Sequence, residues 1–336
     1  ISREAEAAYS AALTKLLAKD SKNKFSSGNR TFLFWASKDN KTGQQVEQGF
    51  YALINASNDV DDPNKNIAKV KDLFKSIYSG LIKTTMEDKF IFLGLAPNMA
   101  RIAVVYWSEC TLKDFAHNIL QHFSDMEIAD TRTDPKPYYG LYNMLSTVTR
   151  GGKQSEAHPN LPEAIMRSVV QGVAYPFVLY SACMRRIRAE QEVRIGRAAI
   201  IKAYLNRKYN DKLTAMLNEE NNNVGYVCGR LFAVLEYEQE RANNSSNIAA
   251  RYLNSASATP SAVFPTLLNL SIHHEEKLGK GPQVFFSKLK GNIVDKLVDG
   301  EFPSHLSIDD QGRFMIGYYQ QRQNFYRSKE QKNMEQ

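Results

Sequence analysis

Hydrophobic positions recur along this chain with two different periods, and the places where the period changes divide it. Behind Ser2, whose hydroxyl can cap a first turn, Ala5, Ala8, Tyr9, Ala12, Leu13, Leu16 and Leu17 fall at i, i+3, i+4 spacing. They predict a helix over 2–18 that buries one face. After a turn at Ser26-Ser27-Gly28-Asn29, Thr31 to Ala36 (TFLFWA) is β-branched and aromatic, reads as a buried strand, and ends at Asp39-Asn40-Lys41-Thr42-Gly43. A polar Asn/Asp stretch, 55–66, reads as a loop before a helix from Ile67 to Tyr78. FIFLGL (90–95) and RIAVVYW (101–107) are two strand-like runs joined by five residues, a plausible hairpin. Thr111 then caps a helix to about Met126, with Leu112, Phe115, Ile119, Leu120 and Phe123 on its apolar side.

From Glu127 the pattern breaks at Asp130, Thr131, Asp134, Pro135 and Pro137, and again at Arg150-Gly151-Gly152-Lys153 and His158-Pro159-Asn160, leaving room for one short helix in 138–149. Beyond this break no segment reads as a strand. Pro162 suits a first helical turn, and helices follow over 162–173, 177–190, 194–209, 226–241, 266–278, 285–297 and 309–326, with ASATPSAVFP (256–265) as a turn. Gly225 and Gly229, four apart, would let another helix approach closely. The expected fold is α+β: a mixed α/β N-terminal part, then a mainly α-helical part ending in a four- or five-helix bundle. The expected divisions are 1–130 as the α+β body, 131–160 as a loop or linker region, 161–215 as helices with a basic patch, and 216–336 as the bundle.

Charge changes the picture at one place. The chain of 336 residues is +7 in all, yet residues 184–208 (MRRIRAEQEVRIGRAAIIKAYLNRK) alone carry +6, while 1–150 carry +2 and 216–336 carry −1. Arg185, Arg186, Arg188, Arg194, Arg197, Lys202, Arg207 and Lys208 are therefore candidate nucleic-acid-binding residues, because each cation that neutralises a phosphate releases a condensed counterion. A solvated helix face with its acidic complement elsewhere is the alternative. Lys288, Lys290 and Lys296 form a weaker second cluster. The run Tyr318 to Arg327 mixes aromatics, amides and arginines, the chemistry that stacks single strands, although aromatics at this spacing more often form core.

Other chemistries find little support. There is no P-loop, GxGxxG after a strand, HExxH, CxxC or GxSxG, so no catalytic residue, cofactor or metal is expected. His273-His274-Glu275-Glu276 is dense, but adjacent helix positions diverge by about 100° and read as a solvated face. His117 and His122 read as packing residues, and Asp61-Asp62 as a turn. Cys110, Cys183 and Cys228 are few and odd in number, which suits buried thiols in a reducing, cytoplasmic compartment. No apolar run approaches the roughly 18 residues of a membrane span.

Several stretches together carry a resemblance: SREAEAAYSAALTKLLAKDS, FIFLGLAPNMARIAVVYW, NLPEAIMRSVVQGVAYP, CMRRIRAEQ, AAIIKAYLNR, GYVCGRLFAVLE, SASATPSAVFP and GRFMIGYYQQRQNFY. The chain resembles the large subunit of the type I-C CRISPR surveillance complex, Cascade, in its middle and C-terminal parts. An opening at Ile1 inside a helical pattern leads to the expectation that an N-terminal region precedes it. The resemblance implies a non-catalytic subunit that works with CRISPR RNA, the target and displaced DNA strands, the backbone and small subunits, and a helicase-nuclease. In such complexes base pairing reads the sequence. It also implies an internal translation start that releases the bundle as a small subunit, for which Met216 is well placed. A structural scaffold whose basic stretch binds partner proteins is the rival reading.

Overall fold

The computed structural model describes residues 2–54, 63–99, 101–133 and 135–327. They form two compact units, one of residues 1–124 and 136–179, the other of 125–135 and 180–336.

The first unit is built on a four-stranded antiparallel sheet in chain order, β1 (Lys24–Ser27), β2 (Arg30–Ala36), β3 (Lys89–Asn98) and β4 (Arg101–Thr111). The register sets Phe34 opposite Phe92 and Leu93 opposite Trp107. Alternation then sends Phe32, Phe34, Phe90 and Phe92 to one face, where they meet Phe50 of α2 (Lys41–Ile54) and Phe115 of α4 (Leu112–Met126). Phe90 and Phe115 stack with ring centroids 3.9 Å apart. The opposite face, Leu33, Leu93 and Leu95, lies under Leu13, Leu16 and Leu17 of α1 (Arg3–Leu17). Ser2 caps α1 as expected, but no residue of α1 is fully buried. The unit is completed by α3 (Pro63–Tyr78), α5 (Leu141–Thr147) and α6 (Leu161–Gln171), and α7 (Phe177–Glu190) begins at its end.

Two elements here depart from the expected pattern. Asp39 to Gly43 does not close a loop; Asn40 accepts the Gly43 amide at 2.8 Å and starts α2, whose Val46, Phe50, Leu53 and Ile54 keep helical spacing in a polar background. Ser26 and Ser27 belong to β1, so the turn is only Gly28-Asn29. The Thr111 cap is observed, its Oγ1 accepting from the Asp114 amide at 3.1 Å. His122 is buried between Tyr175 and the Tyr139 carbonyl, 2.8 and 2.9 Å from its two ring nitrogens, whereas His117 is exposed beside Tyr78. Asp61-Asp62 lies outside the described residues.

The second unit is helical: α8 (Ile195–Tyr209), α9 (Val224–Asn243), α10 (Ile248–Ala258), α11 (Pro260–Lys277), α12 (Lys280–Val294) and α13 (Ile308–Tyr326) follow one another. Its central seam joins α9 to α13. A Cβ on Gly225 or Gly229 would run into the carbonyl oxygens of Asp310 and Phe314, and one on Gly317 into that of Tyr226, so the helices approach backbone to backbone only because these positions lack side chains. Residues 256–265 are not one turn. Thr259 alone separates α10 from α11, because Pro260 stands at the first helical position and Pro265 on an exposed side of the first turns.

The stretch expected as a linker is shared between the units. Residues 125–135 run along the helical unit, where the Ala129 amide donates to the Ala215 carbonyl at 2.9 Å and the Tyr319 hydroxyl to the Ala129 carbonyl at 2.8 Å. Residues 136–160 join the first unit, burying Tyr138, Leu141, Met144 and Leu145.

Candidate nucleic-acid interface

Folding sorts the eight cations of 184–208 by helix face. In α7, Arg185 and Arg188 are exposed, Arg188 donating to the Gln311 side chain at 2.6 Å, while Ile187 and Met184 are buried, so the three-to-four-residue period that packs the helix also orients its arginines. At the next turn Glu190 gathers three guanidinium groups: Arg186, Arg197 at 2.6 Å and Arg194 at 3.5 Å. The Arg197 hydrogen bond, seconded by Arg186, holds the Glu190 carboxyl down to about 2. Arg194 keeps a 60% exposed side chain and also pairs with Glu192 at 2.8 Å.

The other cations divide the same way. Arg197 and Lys202 are buried, at 3% and 2% exposure. Arg207 is held by Asp125 at 2.5 Å, and burial lowers the Lys202 pKa against the opposing charges of Asp125 and Glu127. Arg197, Lys202 and Arg207 therefore do not form part of an outward face; they answer carboxylates inside the unit. Lys208 is exposed at the end of α8. The outward set is Arg185, Arg188, Arg194 and Lys208.

Two cations outside the sequence window join the region. Lys212 is exposed just beyond Lys208, and Arg251 is exposed one turn before Asn254 on α10. The Asn254 side chain donates to the Arg188 carbonyl at 3.1 Å, as does that of Gln191 at 3.2 Å, so α10 caps the end of α7. The side-chain oxygens of Asn254 and Gln191 are buried without partners among the described residues. Arg251 stands alone in its local sequence, and only this cap relates it to α7.

The second cluster separates completely. Lys288 is exposed, and Lys296 is half-buried beside Asn222 at 3.2 Å. Lys290 is buried, bonded to both oxygens of Glu238, to Ser271 at 2.9 Å and to Glu275 at 2.5 Å. It is a structural cation of the bundle core. Tyr318, Tyr319, Gln320 and Gln321 are likewise core, with the Tyr318 hydroxyl on Glu236 at 2.7 Å. They are not a stacking surface, because Tyr318, Gln320 and Gln321 bond to Glu236, Tyr226 and Arg230 of α9, and Tyr319 to the Ala129 carbonyl. His273 and His274 diverge, one exposed and one buried, and among the described residues no group of three His, Cys, Asp or Glu could hold a metal ion.

Fold and surface together define an α+β protein whose helical unit presents a discrete arginine edge on a charge-neutralised base. The chain belongs to the CRISPR-associated protein (Cas_Csd1) family, whose pattern matches residues 1–326, and it is thus a Cascade-type component of a CRISPR system. No curated protein matches the chain. No helix among the described residues is long and apolar enough to cross a membrane.

Proposed function

We propose that the chain is the large subunit of a type I-C Cascade complex, a non-catalytic cytoplasmic protein. It helps to bind target double-stranded DNA, to stabilise the R-loop and displaced strand, and to recruit the helicase-nuclease. Membership of the family supports the setting. The observation that carries the nucleic-acid role is the outward group Arg185, Arg188, Arg194 and Lys208, with one carboxylate, Glu190, anchoring the arginines behind it. Such cations position a phosphate backbone and leave sequence to base pairing with the CRISPR RNA.

The test replaces those four residues by Gln, leaving the buried Arg197 and Lys202 intact, and co-expresses the variant with the backbone and small subunits and a guide RNA. Assembly should persist while target affinity falls. If all four meet single-strand phosphates, the log-log salt slope should become shallower by roughly 3. Failed assembly would favour the rival reading, a scaffold whose basic stretch binds proteins. That reading draws support from the first unit, where Ile102, Val104 and Trp107 of β4 are more than half exposed.

Met216 is proposed as an internal start giving residues 216–336. Its carbonyl accepts from Thr214, and it stands in the segment before α9. In the full chain α13 also packs against α8, and Arg313 pairs with Asp211 at 2.6 Å, so the short product would need other partners for that face. Met216→Leu should abolish it on an immunoblot; persistence would refute the start.

A further inference from the structure

A cavity of about 520 Å³ opens in the helical unit between α9, α12 and α13, lined by none of the four outward cations, and within the size range of small-molecule sites. Its wall is aromatic. Tyr237 and Phe325 stack with centroids 4.3 Å apart, Phe286 is buried behind them, and Phe285 stands 52% exposed at the mouth, its ring edge-on to Phe286. Two amides, Gln321 and Asn324, line the same space.

The polar end of the cavity is built. Gln321 is 1% exposed, and its Oε1 accepts from Arg230 Nε at 3.1 Å, which fixes the amide and leaves its NH2 group without a partner among the described residues. Arg230 is itself 2% exposed, and no carboxylate among the described residues forms an ion pair with it; its other bond goes to the carbonyl of Glu219, which also lines the cavity. A buried guanidinium without an ion pair is costly, and here its Nε and Nη1 are spent on the Gln321 amide oxygen and the Glu219 carbonyl, which holds both of these lining residues in place. Arg241 stands at the rim, and Lys288, one turn beyond Phe285, is exposed on the same helix. Glu219 is the one acidic side chain in the lining.

We infer that this cavity takes an unstacked nucleobase of a single strand, with Phe285 against the ring, the Gln321 and Asn324 amides on its polar edge, and Arg241 and Lys288 on the flanking phosphates. Aromatic faces with cations beside them suit any base, whereas a phosphate alone would leave the aromatic wall unused. The assignment rests on the nucleic-acid role proposed above, and the experiment separates the two.

The full chain is titrated with three dodecamers of equal charge: dT12, U12 and an abasic strand. The wild type should bind dT12 or U12 about tenfold more tightly than the abasic strand, the contribution of one stacked base. Phe285→Ala, at an exposed position, should reduce that ratio to near one with abasic binding unchanged, and Phe285→Tyr should keep it. The variant with Arg185, Arg188, Arg194 and Lys208 as Gln should weaken all three strands and leave the ratio intact. A premium for only one of dT12 and U12 assigns the strand. Equal binding of all three by the wild type, or a premium that survives Phe285→Ala, overturns the cavity assignment alone. Loss of a co-purifying subunit on Phe285→Ala with the premium unchanged overturns it in favour of a partner side chain. No binding of any strand overturns it together with the nucleic-acid role.

Discussion

In the sheet-bearing unit the interior is a run of phenylalanines, Phe25, Phe32, Phe34, Phe50, Phe74, Phe90, Phe92 and Phe115, with His122 as its one buried imidazole, held between Tyr175 and a carbonyl. In the helical unit Arg197, Lys202, Arg230, Glu236, Glu238 and Lys290 are buried among the Leu and Phe. The first interior is held by apolar area, which is non-directional and indifferent to pH. The second depends on particular partners, since a buried charge is tolerated only when answered. Charge in this chain is thus as much a device for fixing helix against helix as a surface for ligands, and a basic stretch cannot be read as an interface until its buried members are removed.

Removing one partner of a buried pair should have the largest effect. Lys290→Met leaves Glu238 without its cation and should cost about 3–5 kcal/mol in chemical denaturation at pH 7.5. The cost should shrink at pH 5.5, where Glu238 protonates. Phe50→Ala should cost a similar ~3–5 kcal/mol through its cavity, with the same value at both pH values. An equal pH response in the two variants would dissolve the contrast between the units.

The glycine seam comes next. Gly229→Ala drives a methyl into the Phe314 carbonyl and should cost about 1–3 kcal/mol or more, measured by the same denaturation. Gly291→Ala on α12, where an added methyl meets nothing within 4 Å, should stabilise by about 0.5–1 kcal/mol.

The finest test follows individual carboxyls. Burial raises Glu238 to about 7 despite Lys290, so the folded state holds its proton more tightly than the unfolded chain. Its contribution is full below the ordinary 4.5 and is lost as pH rises toward 7. Glu190, held down to about 2 by Arg197 and Arg186, acts in the opposite sense: its contribution is present above 4.5 and lost as pH falls toward 2. Glu238→Gln should flatten the decline in stability between pH 4.5 and 7, and Glu190→Gln the decline on the acid side. A wild-type profile unchanged by either substitution would show that these carboxyls do not couple to folding.

Much of the architecture was legible in advance because its signals are local. The β3–β4 hairpin, the Thr111 cap, the α6 start at Pro162 and the α7 and α8 helices rest on neighbouring residues, and Gly225 and Gly229 announced a close helix contact four residues apart. Helix α2 was missed because glycines and glutamines dilute its four apolar positions, and α10 because the Ser and Asn residues in its second half favour caps and turns and mask the helix that its alanines support. The candidate site was half legible. Arg185 and Arg188 face outward by the same period that buries Ile187, but the sequence distinguishes neither Arg194 from Arg197 nor Lys288 from Lys290.

The sequence by itself determined the α+β order, the helical C-terminal half, the glycine seam and the concentration of positive charge in 184–208, since periodicity, capping and composition act over a few residues. Only the tertiary structure decided which cations are available. Arg207 is withdrawn by Asp125, 82 residues away, and Lys290 by Glu238, 52 residues away. The cavity beside Phe285 likewise needs α9, α12 and α13 together. Whether a charge is solvated or buried depends on what long-range packing places beside it, and no local pattern carries that information.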